Sequence, residues 1–142
     1  MTAQPTFAAA PFKGRALSVA LWGTQGLLAA GFLMAGATKL LTAPADLAAM
    51  IPWTGEYGGL VTFTGLVDLA AGFGILLPSL TRILPRLTVL AALGIIVLQV
   101  LAGLFHLSRG EVDVLPMNIV FIALAGFVLW GREKARPITP RG

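Results

Sequence analysis

Cysteine is absent from the chain, and histidine occurs once, as His106. Without cysteine there is no disulfide and no thiol chemistry, and cysteine usage gives no reading of the redox compartment. A haem held between two histidines of this chain is excluded by counting. Zinc and copper sites draw on several His or Cys ligands, so no metal site is expected. Charge is the third scarcity. Asp, Glu, Lys and Arg make up 11% of the residues, against about 25% in a soluble domain, which is too few to coat a globular surface. No basic run interleaved with aromatics occurs either, so nucleic acid is not an expected partner.

What is abundant is apolar length. Of 142 residues, 57% are hydrophobic, the mean hydropathy is +0.89, and several runs approach the ~20 apolar residues that span a bilayer. The expected fold is all-α: a polytopic membrane four-helix bundle whose principal partner is the lipid bilayer. Residues 1–16, with Pro5, Pro11, Lys13 and Arg15, read as a short cytosolic tail. The run over 17–41 exceeds the ~7–15 residues of a signal-peptide core, so it reads as an uncleaved first span. In the loop 42–57, Pro44 can open a short helix through Met50, Pro52 ends it, and Trp53 and Tyr57 suit the headgroup level. This loop is expected on the membrane surface. Further spans are expected over 58–77, stopped by Pro78, over 87–107, and over 114–130, where Pro116 is tolerable in the first turn. The four-helix domain then covers 17–131, and 132–142 forms a basic, disordered tail.

The basic residues set the orientation. Lys13, Arg15, Arg82, Arg86, Arg132, Lys134, Arg136 and Arg141 all fall on one side of a four-span chain, and only Arg109 lies in a loop on the other. By the positive-inside rule both termini are cytoplasmic, N-in and C-in, in a cell inner (plasma) membrane.

Polar residues inside the spans are the most informative feature. Gly31, Ala35 and Lys39 are spaced by four on the first helix, with Gln25 on nearly the same side. On the second, Gly58, Gly65 and Gly72 recur every seven residues, and Asp68 shares their face. Gln99, Gly103 and His106 align on the third helix, and Asn118 aligns with Ile122 and Ala125 on the fourth. Small residues let transmembrane backbones approach closely, and polar side chains beside them bond across helices. At ~1.5 Å per residue, Asp68 lies roughly 15 Å into its helix, near the bilayer middle. Side chains lean toward the N-terminus of their helix, so Lys39 and Asp68, on antiparallel helices, converge. The expectation is a Lys39–Asp68 pair in the outer half of the bundle, with Gln99, His106 and Asn118 around it as a polar, ligand-binding pocket. Plainer readings stand beside it. Lys39 snorkels to the headgroups, the pair is structural, His106 is interfacial, and Asn118 is an interhelical hydrogen bond.

The segment Gly31-Phe32-Leu33-Met34-Ala35-Gly36-Ala37-Thr38-Lys39-Leu40 resembles the first-helix signature of DoxX-like membrane proteins. The segment Gly65-Leu66-Val67-Asp68-Leu69-Ala70-Ala71-Gly72-Phe73-Gly74-Ile75-Leu76-Leu77-Pro78 resembles their second helix, with Asp68 where glutamate is more frequent. His106 and Asn118 also fit, and the resemblance runs over about 17–131. It implies a four-helix inner-membrane protein of a family named from a subunit associated with thiosulfate:quinone oxidoreductase, often accessory to membrane redox systems. The expected role is an accessory or scaffold subunit of a quinone-linked redox system, alongside membrane or peripheral oxidoreductase subunits. The alternative is a quinone-binding oxidoreductase subunit acting directly through the polar cluster, with a bound quinone as its ligand. A small-solute transporter comes third, since no pair of broken helices is evident. No catalytic residue is assigned and no oligomeric state follows from the sequence.

Overall fold

The structure, a computed structural model, describes residues 12–142, with side chains from Gly14 onward. Four of its helices are long and apolar enough to cross a membrane. They are α1 (Phe12–Leu41), α3 (Gly58–Thr81), α4 (Arg86–Ser108) and α5 (Leu115–Trp130), the last of which reaches spanning length with the helical turns on either side of it, over Val112–Ala135, and α2 (Pro44–Met50) lies in the first loop. Short 3-10 turns at Pro52–Gly55 and Val112–Val114 and a π-helical turn at Gly131–Ala135 complete the chain. Among the described residues there is no strand. The helices pack in the cyclic order α1, α3, α4, α5, an up-down-up-down bundle. One end carries the start of α1, the segment after α5 and the α3–α4 turn (the basic end). The other carries the α1–α3 and α4–α5 connections (the loop end).

The core follows from which faces carry small and aliphatic side chains. Leu28, Ala29 and Phe32 of α1 pack with Ile75 of α3, Ala92 and Ile95 of α4, and Ala125 and Val128 of α5. Phe32 meets Phe121 edge-on at 5.3 Å. The outward faces are lined by exposed Leu, Val, Ile and Phe, as lipid contact requires. Close approach between α1 and α3 depends on glycine. A Cβ at Gly36 would lie 2.8 Å from Gly65 O, and one at Gly72 would lie 2.7 Å from Leu33 Cγ. The stripe expected through Gly65 and Gly72 is therefore a contact face, whereas at Gly58 a Cβ would meet nothing within 4 Å. On α1 the glycine pressed against α3 is Gly36, whereas a Cβ at Gly31 would meet only Phe121, at 3.7 Å.

Four expectations change. Pro78 does not stop its helix. It lies buried inside α3, which continues to Thr81 and ends at Arg82 in the left-handed conformation, φ 58°. A proline removes one N–H and loosens the turn before it, and within a bilayer neighbouring helices supply the missing bonds. The carbonyl that Pro78 leaves without an intrahelical N–H is that of Gly74, four residues back; Gln25 Nε2 on α1 donates to the next one, Ile75 O, at 2.7 Å and so ties down the same turn. The loop 42–57 does form α2 and ends at Pro52, but it does not merely lie on a surface. Leu47 and Trp53 are buried with Val61 and packed against Phe105, capping the loop end. Finally, the segment after Trp130 packs back on the bundle: Arg132 is buried, and Arg141 N–H donates to Arg82 O at 2.9 Å. Of the expected N-terminal tail, residues 1–11 lie outside the described residues, and 12–16 already belong to α1.

Candidate functional site

The glycine contact between α1 and α3 brings Lys39 beside Gly65, one turn from Asp68. Lys39 Nζ donates to Asp68 Oδ2 at 2.7 Å. Asp68 is 3% exposed, so its carboxylate is held inside the bundle. Lys39 leans inward, and Trp53 lies over it with the ring centroid 5.9 Å from Nζ, which contributes a cation–π attraction. The pair anticipated from helix direction is formed, and Lys39 does not snorkel away from it.

The other three expected residues divide. Gln99 and His106 line the same cavity as Lys39 and Asp68, a cleft of about 250 Å³ between the loop-end halves of α3 and α4. Asn118 is absent from its lining and stands behind it, donating through Nδ2 to Gln99 Oε1 at 2.6 Å. With Oε1 occupied, the Gln99 amide keeps its N–H donors for the cavity. His106 Nδ1 lies 2.6 Å from Glu111 Oε2. An ionised carboxylate only accepts, so a proton belongs on Nδ1, and in the neutral ring Nε2 is left as the acceptor. Together with Glu111, the five residues form three pairs: Lys39 with Asp68, Gln99 with Asn118, and His106 with Glu111. Glu111 was not anticipated from sequence, because it sits in a polar loop where an acid carries no signal.

The rest of the lining is apolar. Leu60 and Phe63 of α3 and Leu101 of α4 border the cleft and are themselves exposed on the outer face of the bundle. The cleft therefore opens sideways, toward the region lipid chains would occupy. Its loop end is roofed by Trp53 and Phe105, which meet edge-on at 5.5 Å.

The roof is latched electrostatically. Arg109 donates from Nη1 and Nη2 to the two oxygens of Glu56, at 3.1 and 3.0 Å, a bidentate fork joining the first loop to the end of α4. Its Nε donates to Glu111 Oε1 at 2.9 Å. The Arg109 hydrogen bonds hold the Glu56 carboxyl below its ordinary range. The His106 hydrogen bond, followed by that of Arg109, does the same for Glu111. In turn Glu56 and Glu111 push the Arg109 guanidinium further up.

A family model described as the DoxX-like family matches residues 23–128. The chain belongs to the DoxX-like family. Its match spans Lys39, Asp68, Gln99, His106 and Asn118, and the four apolar helices make this DoxX-like chain a multi-pass membrane protein. Comparison with curated proteins and with solved structures returns no match.

A second buried polar cluster, at the basic end of the DoxX-like bundle, was missed. Gln25 Nε2 also donates to Ser79 Oγ at 3.1 Å, Ser79 and Thr88 share a hydrogen bond of 2.8 Å, and Arg132 Nε donates to Gln25 Oε1 at 2.6 Å. All four residues are buried. In the sequence Gln25 stands out only by its alignment with Lys39, and Arg132 reads as part of the tail. The usable signal was Gln25 itself, a polar side chain too deep in its span to reach water. Among the described residues, no group of three or more His, Asp and Glu side chains is placed to hold a metal ion.

Proposed function

We propose that this chain is an integral-membrane accessory subunit of a quinone-linked redox system, and that the cleft between α3 and α4 receives the headgroup of a quinone-class ligand. The observation that carries this reading is the form of the cleft: apolar walls, a sideways opening, and polar groups gathered at its deep end. Small-molecule sites have this character, a mostly apolar concavity with a few convergent polar groups. At about 250 Å³, just below the ~300–1,000 Å³ of drug-sized pockets, it suits a ring whose tail stays among lipid chains.

The donor set fits such a ring. Lys39 has three N–H donors and gives one to Asp68. Gln99 adds amide donors, so a ring carbonyl would be met by N–H groups. His106 Nε2 and the Asp68 carboxylate accept, so a hydroxyl of the reduced ring would also be met. When bound, a quinone would supply the two-electron chemistry, and electrons would come from a cofactor or a partner subunit. The chain's own residues orient the ring, exclude water through Trp53 and Phe105, and hold protons at His106 and Asp68. Glu111, outside the spans, offers those protons a route to the aqueous phase. The positive-inside bias puts the basic end in the cytoplasm of a plasma membrane and the cleft in the outer half of the bilayer.

The glycine-tight α1–α3 contact favours a second reading, in which the Lys39–Asp68 pair only fixes the bundle and the chain scaffolds an oxidoreductase. Lipid extraction of the purified protein with an absorbance spectrum separates the two. Stoichiometric quinone, lost when Ala102→Phe fills the cleft and leaves the pair intact, supports the first. A protein free of quinone that co-purifies with a defined oxidoreductase supports the second.

A further inference from the structure

Arg132 presents a problem of charge. It is 4% exposed, and its guanidinium lies over Trp22, with Cζ 4.8 Å from the ring centroid. Its Nε donates to Gln25 Oε1, its Nη1 donates to Arg136 O at 3.2 Å, and its Nη2 is buried with no partner. Every acceptor it has is neutral. Buried charges are normally paired, and among the described residues no acid is placed to pair this one. The chain has six acids. Asp46, Glu56, Glu111 and Asp113 belong to the loop end, and Asp68 is taken by Lys39. Glu133 remains, and it faces Arg86 at 3.5 Å. Eight of the ten Lys and Arg residues belong to the same end as that single acid.

Arg132 also lines a cavity of about 190 Å³, together with Pro85, Arg86, Val89, Glu133 and Ile138. This cavity lies against the first turn of α4, whose backbone dipole presents its positive end there. The volume far exceeds the ~30 Å³ that one liquid water occupies. Arg132, a second arginine and a helix N-terminus border one space, and the unpartnered Nη2 of Arg132 is buried in its wall.

We propose that this cavity binds a phosphate-bearing anion, supplied either by the headgroup of an acidic lipid or by a free phosphate compound, with Arg132 as the deep anchor and Arg86 as the outer clamp. Arginine suits the role because its planar fork matches phosphate oxygens two at a time. Glu133 competes with the ligand for Arg86 and turns away when the anion enters. The proposal is independent of any ligand in the α3–α4 cleft at the other end.

The test is native mass spectrometry and thermal melting of the full-length protein in neutral detergent. The probes are phosphatidylglycerol, phosphatidylcholine, glycerol 3-phosphate and inorganic phosphate. Phosphatidylglycerol is expected to be retained at one per chain and to raise the melting temperature, and phosphatidylcholine is not. If glycerol 3-phosphate does the same, the free phosphate group suffices; if only the lipid does, the headgroup is read with its membrane anchor. Arg132→Lys keeps the charge but loses the fork and should weaken binding. Because that buried variant risks misfolding, Arg86→Gln is the second arm: the Arg86 side chain is 85% exposed, so the fold is kept. Removing one cation near a membrane surface should weaken binding about fivefold, whereas Glu133→Gln should bind as tightly or more tightly. Retention equal for the acidic and the neutral lipid, with no response to either soluble phosphate, overturns the proposal. So does binding unchanged in Arg86→Gln, or binding abolished in Glu133→Gln.

Discussion

Lys39 reaches Asp68 because the two helices that carry them touch through glycine. A Cβ at Gly65 would lie 3.2 Å from Lys39 Cβ, and from that contact the lysine extends one turn along α3 to place Nζ 2.7 Å from the Asp68 carboxylate. Packing and electrostatics are therefore one device. The helix approach sets the reach of the ion pair, and the ion pair stabilises the approach.

Breaking one side of this pair should cost more than removing both. Asp68→Asn leaves a lysine cation in the bundle without its counter-ion, and loss of one partner of a buried pair costs about 3–5 kcal/mol. Lys39 keeps some exposure, 16% of its side chain, which places the loss near the lower end. Adding Lys39→Met should restore part of the folded yield, measured as monodisperse protein in detergent and by thermal melting. Strictly additive losses in the double-mutant cycle would argue against direct pairing.

Two glycines of similar appearance should respond oppositely to alanine. At Gly36 the new methyl meets backbone, Gly65 O at 2.8 Å, so α1 and α3 must part. Overpacking of this kind costs about 1–3 kcal/mol. At Gly94, inside α4, the methyl meets nothing within 4 Å, and Gly→Ala in a helix interior gains up to about 1 kcal/mol. Melting temperatures of the two single variants, taken in one detergent, should move in opposite directions.

The latch at the loop end should be acid-sensitive. Glu56 and Glu111 both have carboxyls held below the ordinary value of 4.5. A group whose folded pKa is depressed contributes stability that is complete above its unfolded pKa and is lost as pH falls through the folded one. The melting temperature should therefore be level from neutral pH down to about pH 5 and fall below that. Glu56→Gln should flatten part of this acid limb and raise hydrogen exchange in the first loop near Trp53. An unchanged acid limb in Glu56→Gln would remove the latch from the account.

The fold was legible where one physical rule dominates. Hydropathy and length decide the spans, and side-chain lean on antiparallel helices decides the meeting of Lys39 with Asp68. It was not legible where a local rule is overridden by a distant partner. Pro78 ends a helix by local rules, yet α3 passes through it with Gln25 bonded to the turn it loosens. Arg132 reads as a tail residue because its neighbours are basic and proline follows, and only the fold shows that Gln25 and Trp22 hold it inside. His106 was legible as a polar residue of the cleft. Its partner Glu111 was not, because i to i+5 pairing across a helix end depends on the turn at Gly110, whose φ is 75°.

Gln25 should prove as important as the Lys39–Asp68 pair, although it carries no charge. Its amide donates to Ile75 O and Ser79 Oγ and accepts from Arg132 Nε, so it joins α1, α3 and the segment after α5. Gln25→Leu keeps much of the volume and removes all three bonds. Ser79 retains Thr88, and Ile75 O belongs to a helix turn, so the largest loss falls on Arg132, which is left with one backbone acceptor. Removing a partner from a buried polar group costs about 1–3 kcal/mol, more where the group is charged. The expected loss is about 3 kcal/mol, compared with about 1 kcal/mol for Asn118→Ala, where Gln99 borders a cleft and can turn toward it. The ordering is the test: thermal melts in which Asn118→Ala is as damaging as Gln25→Leu would mean that the basic end is not held together through Gln25.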